Sequence, residues 1–160
     1  MTIKVGDKIP NGTLKHMTAD GPAEITSDEL FSGKKVVLFG LPGAFTPTCS
    51  AKHLPSFVQH AADIKGKGVD AIVCTSVNDA FVMDSWGKDQ GVGENVMMLA
   101  DGNADLAEAL GLAFDAGGFG MGKRSQRYAL VAEDGVVKAL HVEAPGAYEV
   151  SSAEAVLKAL

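Results

Sequence analysis

The chain has 160 residues, 46% of them hydrophobic and 21% charged, and carries a formal net charge of −6. That length and composition predict a single soluble globular domain over residues 1–160, with enough apolar side chains to build a core. The acidic balance argues against nucleic acid or an anionic membrane as partner, because both need a basic face, and no apolar run reaches the roughly 18 residues of a membrane span.

Cap and turn signals divide the chain into strands and helices. Thr26 and Glu29 have the spacing of a capping box, which predicts a helix start. Ser151 and Glu154 repeat that spacing near the C-terminus, and Asp134-Gly135 predicts a tight hairpin. The predicted elements are, in chain order, one or two edge strands within 1–26 (including Thr13–Met17), a helical turn at Asp28–Phe31, a strand at Lys35–Phe39, a helix at Cys49–Lys65, a strand at Val69–Ser76, a helix from Asn78 or Asp79 to about Gln90, a strand at Val96–Ala100, a helix at Ala104–Leu110, a hairpin of Arg127–Glu133 with Val136–Val142, and a final helix to Leu160.

The cysteine content and the first residues bear on the compartment. Two cysteines are too few for the disulfide framework of a small secreted domain. The start, MTIKVGDKIPNGT, lacks the apolar stretch of a secretory signal. We therefore expect a reducing compartment, the cytoplasm.

The segment after the first apolar strand holds the candidate reactive group. Gly and Pro residues form a tight loop there, and apolar residues then recur at helical spacing, which places Cys49 in the first turn of a helix. A thiol in that position faces unpaired backbone N–H groups and the positive end of the helix dipole, and both favour the thiolate. Pro55, inside the same helix, should bend it because it removes a backbone hydrogen bond.

The remaining thiol and the histidines suggest ordinary structural roles. Cys74 lies in an apolar strand and is predicted to be core, as is Trp86 in its helix. His53 lies four residues after Cys49, and we expect an ordinary helix residue there. A metal centre needs three or four ligands, and the four histidines suggest no such cluster. A hydrolase would need a distant base such as His141, but nothing specific points to it.

A glycine-rich stretch, GGFGMGK at 117–123, resembles a phosphate-binding loop. The match fails because Arg124 replaces the required Ser or Thr and a strand rather than a helix follows. We interpret the stretch as a flexible rim whose Phe119 and Met121 offer apolar surface to a substrate or a second subunit.

Two motifs resemble those of a known family. Residues 42–49, PGAFTPTC, match the Pro-x-x-x-Thr-x-x-Cys motif of the peroxiredoxins, and PGAFTPTCSAKHLPSF resembles the type II (peroxiredoxin-five) branch. Arg127 stands at the start of a strand, where that family keeps an active-site arginine. The similarity covers nearly the whole chain, and the element order agrees with an α/β, thioredoxin-like fold: a central mixed sheet flanked by helices, with an inserted strand–helix excursion and N-terminal edge strands.

The resemblance implies a thiol peroxidase for hydrogen peroxide and organic hydroperoxides. The Cys49 thiolate would attack the peroxide and become a sulfenic acid, with no metal, haem or flavin cofactor. Thr46 and Arg127 would supply hydrogen-bond donors to the two peroxide oxygens, and Pro42 would shield the sulfur. Arg124 would be structural or lie at the rim of the site.

Recycling and assembly follow from the same resemblance. Some type II members carry a resolving cysteine in the stretch that corresponds to 146–152, which has none here. Because Cys74 is expected within a central strand, we predict a one-Cys cycle in which an external thiol restores Cys49, through glutathione with glutaredoxin or through thioredoxin. A homodimer is expected from loops around the site, where Phe45 and Phe119 would otherwise be exposed.

Two other functions remain open from the sequence. A thiol–disulfide oxidoreductase would use the same fold, but it needs a Cys-x-x-Cys pair, and Thr46 and Lys52 stand three residues either side of Cys49. A redox sensor or holdase would use Cys49 without turnover. Steady-state consumption of peroxide with an added thiol separates these alternatives from a peroxidase.

Overall fold

The structure, a computed structural model, describes residues 2–160. A seven-stranded sheet has the order β2-β1-β5-β4-β3-β8-β9, and a separate two-stranded sheet pairs β6 with β7. The strands are β1 (Thr13–Thr18), β2 (Gly21–Thr26), β3 (Lys35–Gly40), β4 (Ala71–Ser76), β5 (Met97–Ala100), β6 (Ala113–Asp115), β7 (Lys123–Ser125), β8 (Tyr128–Glu133) and β9 (Val136–Val142). The helices are α1 (Ser27–Phe31), α2 (Leu54–Gln59), α3 (Ala61–Lys65), α4 (Ala80–Asp89), α5 (Asp105–Ala109) and α6 (Ala153–Ala159).

The large sheet is mixed, and helices cover both of its faces. β3, β4 and β5 run parallel to one another, while β1, β2, β8 and β9 pair antiparallel with their neighbours. Side chains of β3 alternate between the two faces: Val37 and Phe39 join one core, with α2, α3, α4 and α6, and Val36 and Leu38 join the other, with α1. The predicted thioredoxin-like arrangement, a mixed sheet flanked by helices, is confirmed.

The cap and hairpin signals are mostly confirmed. Thr26 and Glu29 form both hydrogen bonds of a capping box at the start of α1. Asp79 caps α4 by accepting from the backbone N–H of Val82 at 2.8 Å. The hairpin of β8 and β9 turns at residues 134–135, as the Asp-Gly pair predicts.

The helix predicted at Cys49–Lys65 is not a single bent α-helix. Residues 49–53 form a π-helical turn, in which the N–H of Leu54 donates to the carbonyl of Cys49, five residues back. Pro55 follows in the first turn of α2, where its missing N–H costs least. α2 and α3 are then separated at His60, whose backbone is not helical.

The predicted capping box at the last helix is shifted by one residue. Ser152 rather than Ser151 caps α6, accepting from the N–H of Ala155 at 3.2 Å. Ser151 is fully buried and donates its hydroxyl to Glu143 instead, at 2.6 Å. Because the Ser151 hydroxyl is bound to Glu143, Ser152 is the residue that caps α6.

The glycine-rich stretch interpreted as a rim lies between the two strands of the small sheet. It connects β6 to β7 through a short 3₁₀ turn, Gly117–Phe119. Phe119 at the end of that turn is 82% exposed.

The candidate site residues lie at the ends of three neighbouring central strands, where β3 and β4 end and β8 begins. β3 and β4 end side by side, with Gly40 opposite Thr75, and Gly40 also pairs with Tyr128 at the start of β8. A Cβ at position 40 would lie 2.2 Å from the Tyr128 ring, so only glycine fits there. Arg127, immediately before β8, therefore lies beside the loop that follows β3. No helix within residues 2–160 has both the length and the apolar character needed to cross a bilayer.

Candidate active site

Cys49 lies in the first turn of the helix, as the sequence pattern predicts. The helix begins at Pro47, and the N–H of Ser50 donates to the carbonyl of Thr46 at 3.0 Å. The Cys49 side chain is fully buried, against Phe39 and other apolar residues of one core. The thiol is thus shielded from solvent.

Arg127 lies against the thiol. Its Nη2 donates to Cys49 Sγ at 3.2 Å. A guanidinium stays protonated at all physiological pH values, so the contact places a fixed positive charge and an N–H donor on the sulfur. That pairing stabilises negative charge on the thiol group.

His53 belongs to this site, and the prediction of an ordinary helix residue is wrong. Its ring is fully buried; Nδ1 lies 2.9 Å from Arg127 Nη1, and Nε2 lies 2.9 Å from the carbonyl oxygen of Ser151. A carbonyl and a guanidinium leave one choice of tautomer: Nε2–H donates to Ser151, and Nδ1 accepts from Arg127. Burial, and then the charge of Arg127, lower the pKa of His53 to about 3, so the ring is neutral at physiological pH.

Glu143 holds the segment that His53 contacts. Its buried carboxylate accepts from the backbone N–H groups of Glu149, Val150 and Ser151, at 2.8 to 2.9 Å, and from the Ser151 hydroxyl at 2.6 Å. Burial alone would raise the pKa of Glu143, but these hydrogen bonds outweigh it and the pKa is lowered. The carboxylate therefore stays ionised and fixes the main chain at 149–151.

Tyr148, in the same segment, covers the buried pair. Its ring meets the His53 ring edge-on, with centroids 5.4 Å apart, and the guanidinium carbon of Arg127 lies 5.9 Å from the ring centre. The Tyr148 hydroxyl donates to the carbonyl of Lys52 at 3.3 Å. The segment between β9 and α6 thus forms one wall of the site.

Thr46 and Pro42 lie in the loop between β3 and the Cys49 helix, and both are half-buried. The Thr46 hydroxyl donates to the carbonyl of Gly43 at 2.7 Å. Between them Phe45 adopts a left-handed backbone conformation, with φ of 62°, which is costly for a side chain of that size. The loop therefore needs restraint from its surroundings.

Residues outside the sequence motif supply some of that restraint. The N–H of Ala44 donates to Asn78 Oδ1 at 2.9 Å, and the Ser76 hydroxyl donates to the same oxygen at 2.7 Å. The fully buried Trp86 donates its indole N–H to the Ser50 hydroxyl at 3.1 Å, beside Cys49. No local pattern in the sequence identifies the contacts of Ala44 with Asn78 or of Ser50 with Trp86, because these partners lie more than 30 residues apart.

The second thiol is core, as predicted. Cys74 is fully buried in β4, opposite Phe39 of β3. Burial, with a smaller contribution from Cys49, raises the pKa of the Cys74 thiol well above its ordinary value. Cys74 thus stays a neutral thiol. In the part of the chain that the structure describes, 2–160, no three His, Cys, Asp or Glu side chains come together as metal ligands would.

Comparison with known proteins agrees with this geometry. Residues 4–157 match the Redoxin family model. The chain is 54% identical to peroxiredoxin-2E-2, chloroplastic, of Oryza sativa subsp. japonica, over 99% of this chain and 73% of that protein, and 47% identical to peroxiredoxin-2B of Arabidopsis thaliana, over 99% and 98%. Its structure superposes on reduced Prx3 of Vibrio vulnificus in complex with hydrogen peroxide with a TM-score of 0.95, at 53% identity, covering 99% of each chain. The chain belongs to the peroxiredoxin family and is a thiol peroxidase.

Proposed function

We propose that the enzyme reduces hydrogen peroxide and organic hydroperoxides through Cys49 in a one-Cys cycle. The observation that carries this proposal is the contact of Arg127 Nη2 with the buried Cys49 Sγ at 3.2 Å. The thiolate attacks one peroxide oxygen, an S–O bond forms and the O–O bond breaks. The leaving oxygen takes a proton and departs as water or an alcohol, and Cys49 is left as a sulfenic acid.

The residues around the sulfur would divide the work of stabilising that transition state. Arg127 donates to the sulfur and to the oxygens on which negative charge accumulates. The Thr46 hydroxyl already donates its proton to the Gly43 carbonyl, so the donor role predicted for Thr46 from the sequence is replaced by an acceptor role: its oxygen lone pairs are free to accept the O–H of a peroxide. Pro42, half-buried in the same loop, keeps water and larger molecules from the sulfur.

Recycling by an external thiol is supported by the position of the other cysteine. Cys74 is fully buried in β4, between β3 and β5, and its raised pKa keeps it a neutral thiol, whereas the thiolate is the form that attacks in thiol exchange. A first external thiol would displace water from the sulfenic acid to give a mixed disulfide, and a second would release the Cys49 thiol. Glutathione with glutaredoxin is the proposed reductant, with thioredoxin the alternative, in the reducing cytoplasm that two free thiols suit.

A homodimer is proposed from two exposed aromatic residues near the site. Phe45 is 54% exposed in the loop between β3 and the Cys49 helix, and Phe119 is 82% exposed at the end of the 3₁₀ turn that connects β6 to β7. A second copy of the chain that covered them would remove a large apolar area from water. The interface would then adjoin the loop that holds Thr46.

The test is steady-state turnover with defined reductants. Peroxide consumption is measured with glutathione plus glutaredoxin and with thioredoxin plus its reductase, for wild type and for Cys49→Ser. We expect many turnovers per Cys49 with at least the glutaredoxin couple, and none for the variant. Consumption that stops at one peroxide per chain with both couples would contradict the proposed cycle and favour a redox sensor.

A further inference from the structure

Arg124, in β7, connects three segments around the site. It is half-buried, and its guanidinium donates only to main-chain carbonyls: Nε to Met121 at 2.9 Å, and Nη1 to Val77 at 3.2 Å and Pro42 at 3.4 Å. These acceptors belong to the β6–β7 loop, to the loop after β4 and to the loop between β3 and the Cys49 helix. Arginine suits this bridging because its N–H donors are fixed in one plane.

The same nitrogen explains a glycine in the sequence motif. A Cβ at position 43 would lie 2.9 Å from Arg124 Nη1 and 3.4 Å from the Thr46 side chain. Gly43 also supplies the carbonyl that accepts the Thr46 hydroxyl. One guanidinium nitrogen therefore donates to the Pro42 carbonyl and lies against Gly43, whose own carbonyl accepts the Thr46 hydroxyl one residue beyond the strained Phe45.

We propose that Arg124 is a positioning residue of the peroxidase: it holds the Pro42–Thr46 loop in the conformation in which Thr46 meets a peroxide at Cys49. Its acceptors are carbonyls rather than the sulfur, so Arg124 acts through the loop and Arg127 acts on the sulfur directly. A strained backbone such as that of Phe45 relaxes when its neighbours no longer restrain it. The inference rests on the role proposed above for Thr46.

Two reactions of Cys49 separate this role from general damage to the site. Reaction with hydrogen peroxide requires the oriented loop, whereas alkylation by iodoacetamide requires the thiolate and access but not Thr46. Rapid mixing gives both rate constants for Arg124→Ala, Arg124→Lys and the matched control Lys123→Ala. Lys123 is the neighbouring residue of β7, is exposed and pairs with Glu108, so the control removes one positive charge and leaves the loop intact.

We expect Arg124→Ala to lower the peroxide rate constant about 10- to 100-fold, the scale on which small misplacements of reacting groups act. The iodoacetamide rate constant should not fall, since a loosened Pro42–Thr46 loop shields the sulfur less, and the pH of its midpoint should stay at the wild-type value. Arg124→Lys should keep part of the peroxide rate, since an ammonium reaches fewer carbonyls, and Lys123→Ala should keep all of it. An unchanged peroxide rate, or an equal fall in both rate constants, would overturn the proposal.

Two more variants keep the test decisive. Gly43→Ala places a Cβ against Nη1 and should show the same split between the two reactions; it replaces Arg124→Ala if circular dichroism shows that the latter does not fold. Thr46→Val tests the premise. If it reacts with peroxide like wild type, the proposed role of Thr46 is wrong; if it is slow while Arg124→Ala is normal, the inference about Arg124 alone is wrong.

Discussion

His53 and Arg127 form a fixed pair: Nη1 of the guanidinium donates to the imidazole Nδ1 at 2.9 Å, while Nη2 of the same group donates to the Cys49 sulfur at 3.2 Å. Because the guanidinium is planar and rigid, fixing one of its nitrogens fixes the other. His53 is itself held by the carbonyl of Ser151, which Glu143 anchors. The direction of the donor at the sulfur therefore depends on a neutral histidine whose two ring nitrogens are both engaged by the protein.

Two replacements of His53 distinguish its role as hydrogen-bond acceptor for Arg127 from its role in filling space. His53→Leu fills the space but leaves Nη1 of Arg127 without an acceptor, and we expect the peroxide rate constant to fall about tenfold because the guanidinium turns. His53→Gln carries one oxygen to accept from Arg127 and one N–H₂ to donate to Ser151, so it should keep most of the rate. Rapid mixing with hydrogen peroxide measures both. Equal rates for the two variants would show that the hydrogen bond is unimportant.

Stability should depend on pH through the same residue. Below pH 6.5 the unfolded chain protonates His53, whereas the folded chain keeps it neutral down to about pH 3. The unfolded state thus binds more protons, and the free energy of unfolding should fall by about 2 kcal/mol between pH 7 and pH 5 from this group. Denaturant unfolding followed by the single tryptophan, Trp86, measures it. His53→Gln should lose that part of the pH dependence; an identical slope in variant and wild type would contradict the assignment.

Arg127→Lys tests whether reaction with peroxide depends on the two N–H donors of the guanidinium or only on its positive charge. An ammonium can reach the sulfur or His53 but cannot grip both, and it offers fewer fixed donors to the leaving oxygen. We expect the peroxide rate constant to fall about 100-fold, as when one donor of an oxyanion site is removed. The measurement is repeated across pH with iodoacetamide in parallel, to obtain the thiolate fraction. A rate loss that the thiolate fraction fully explained would reduce Arg127 to a source of charge.

Cys74→Ser tests the one-Cys cycle. The variant should turn over at the wild-type rate, because in the proposed cycle the buried Cys74 thiol takes no part in recycling. Mass spectrometry of oxidised wild type should find Cys49 as sulfenic or sulfinic acid or as a mixed disulfide with the added thiol. A bridge between Cys49 and Cys74 would refute the cycle.

If Phe119 lies in the proposed dimer interface, a charge at that position should weaken the dimer. Phe119→Asp should shift the protein from dimer to monomer in sedimentation velocity at micromolar concentration, since it places a carboxylate in an apolar interface. Val5→Asp is the control, because Val5 is also exposed, at 58%, but lies outside the loops around the site. A wild type that sediments as a monomer, reduced and oxidised alike, would contradict the dimer.

Local sequence patterns predict the strand, loop and helix that carry Cys49, but not the distant residues that hold them in place. The apolar run of β3, the Gly and Pro loop and the helical spacing after it were enough to place Cys49 in a first helical turn. The π-helical turn could not be predicted, because five residues do not distinguish a π from an α pattern. The Asp-Gly hairpin was predicted for the same reason that Cys49 was: its signal lies within a few residues.

His53 shows where such reasoning stops. Its spacing of four residues from Cys49 was a usable signal, since positions i and i+4 share a helix face. What makes it functional, the contacts with Arg127 and Ser151, joins residues more than 70 positions apart. No local pattern marks Glu143, directly after β9, and only the four donors that converge on its carboxylate in the folded chain explain it.

The burial of Cys49 suits its reaction with a small peroxide but opposes its reaction with a larger thiol reductant. In the proposed cycle a small peroxide reaches the shielded sulfur, but an external thiol would have to bring its own sulfur to about 2 Å from that of Cys49, whose side chain exposes no surface. The first turn of the helix would therefore have to open before that thiol could react, and while the turn stays closed a second peroxide would convert the proposed sulfenic acid to sulfinic acid. Substitutions that strengthen this turn should raise the melting temperature and shorten the working life of the enzyme under excess peroxide. Selection for robustness to heat and for endurance under oxidation would then favour opposite changes at the same few residues.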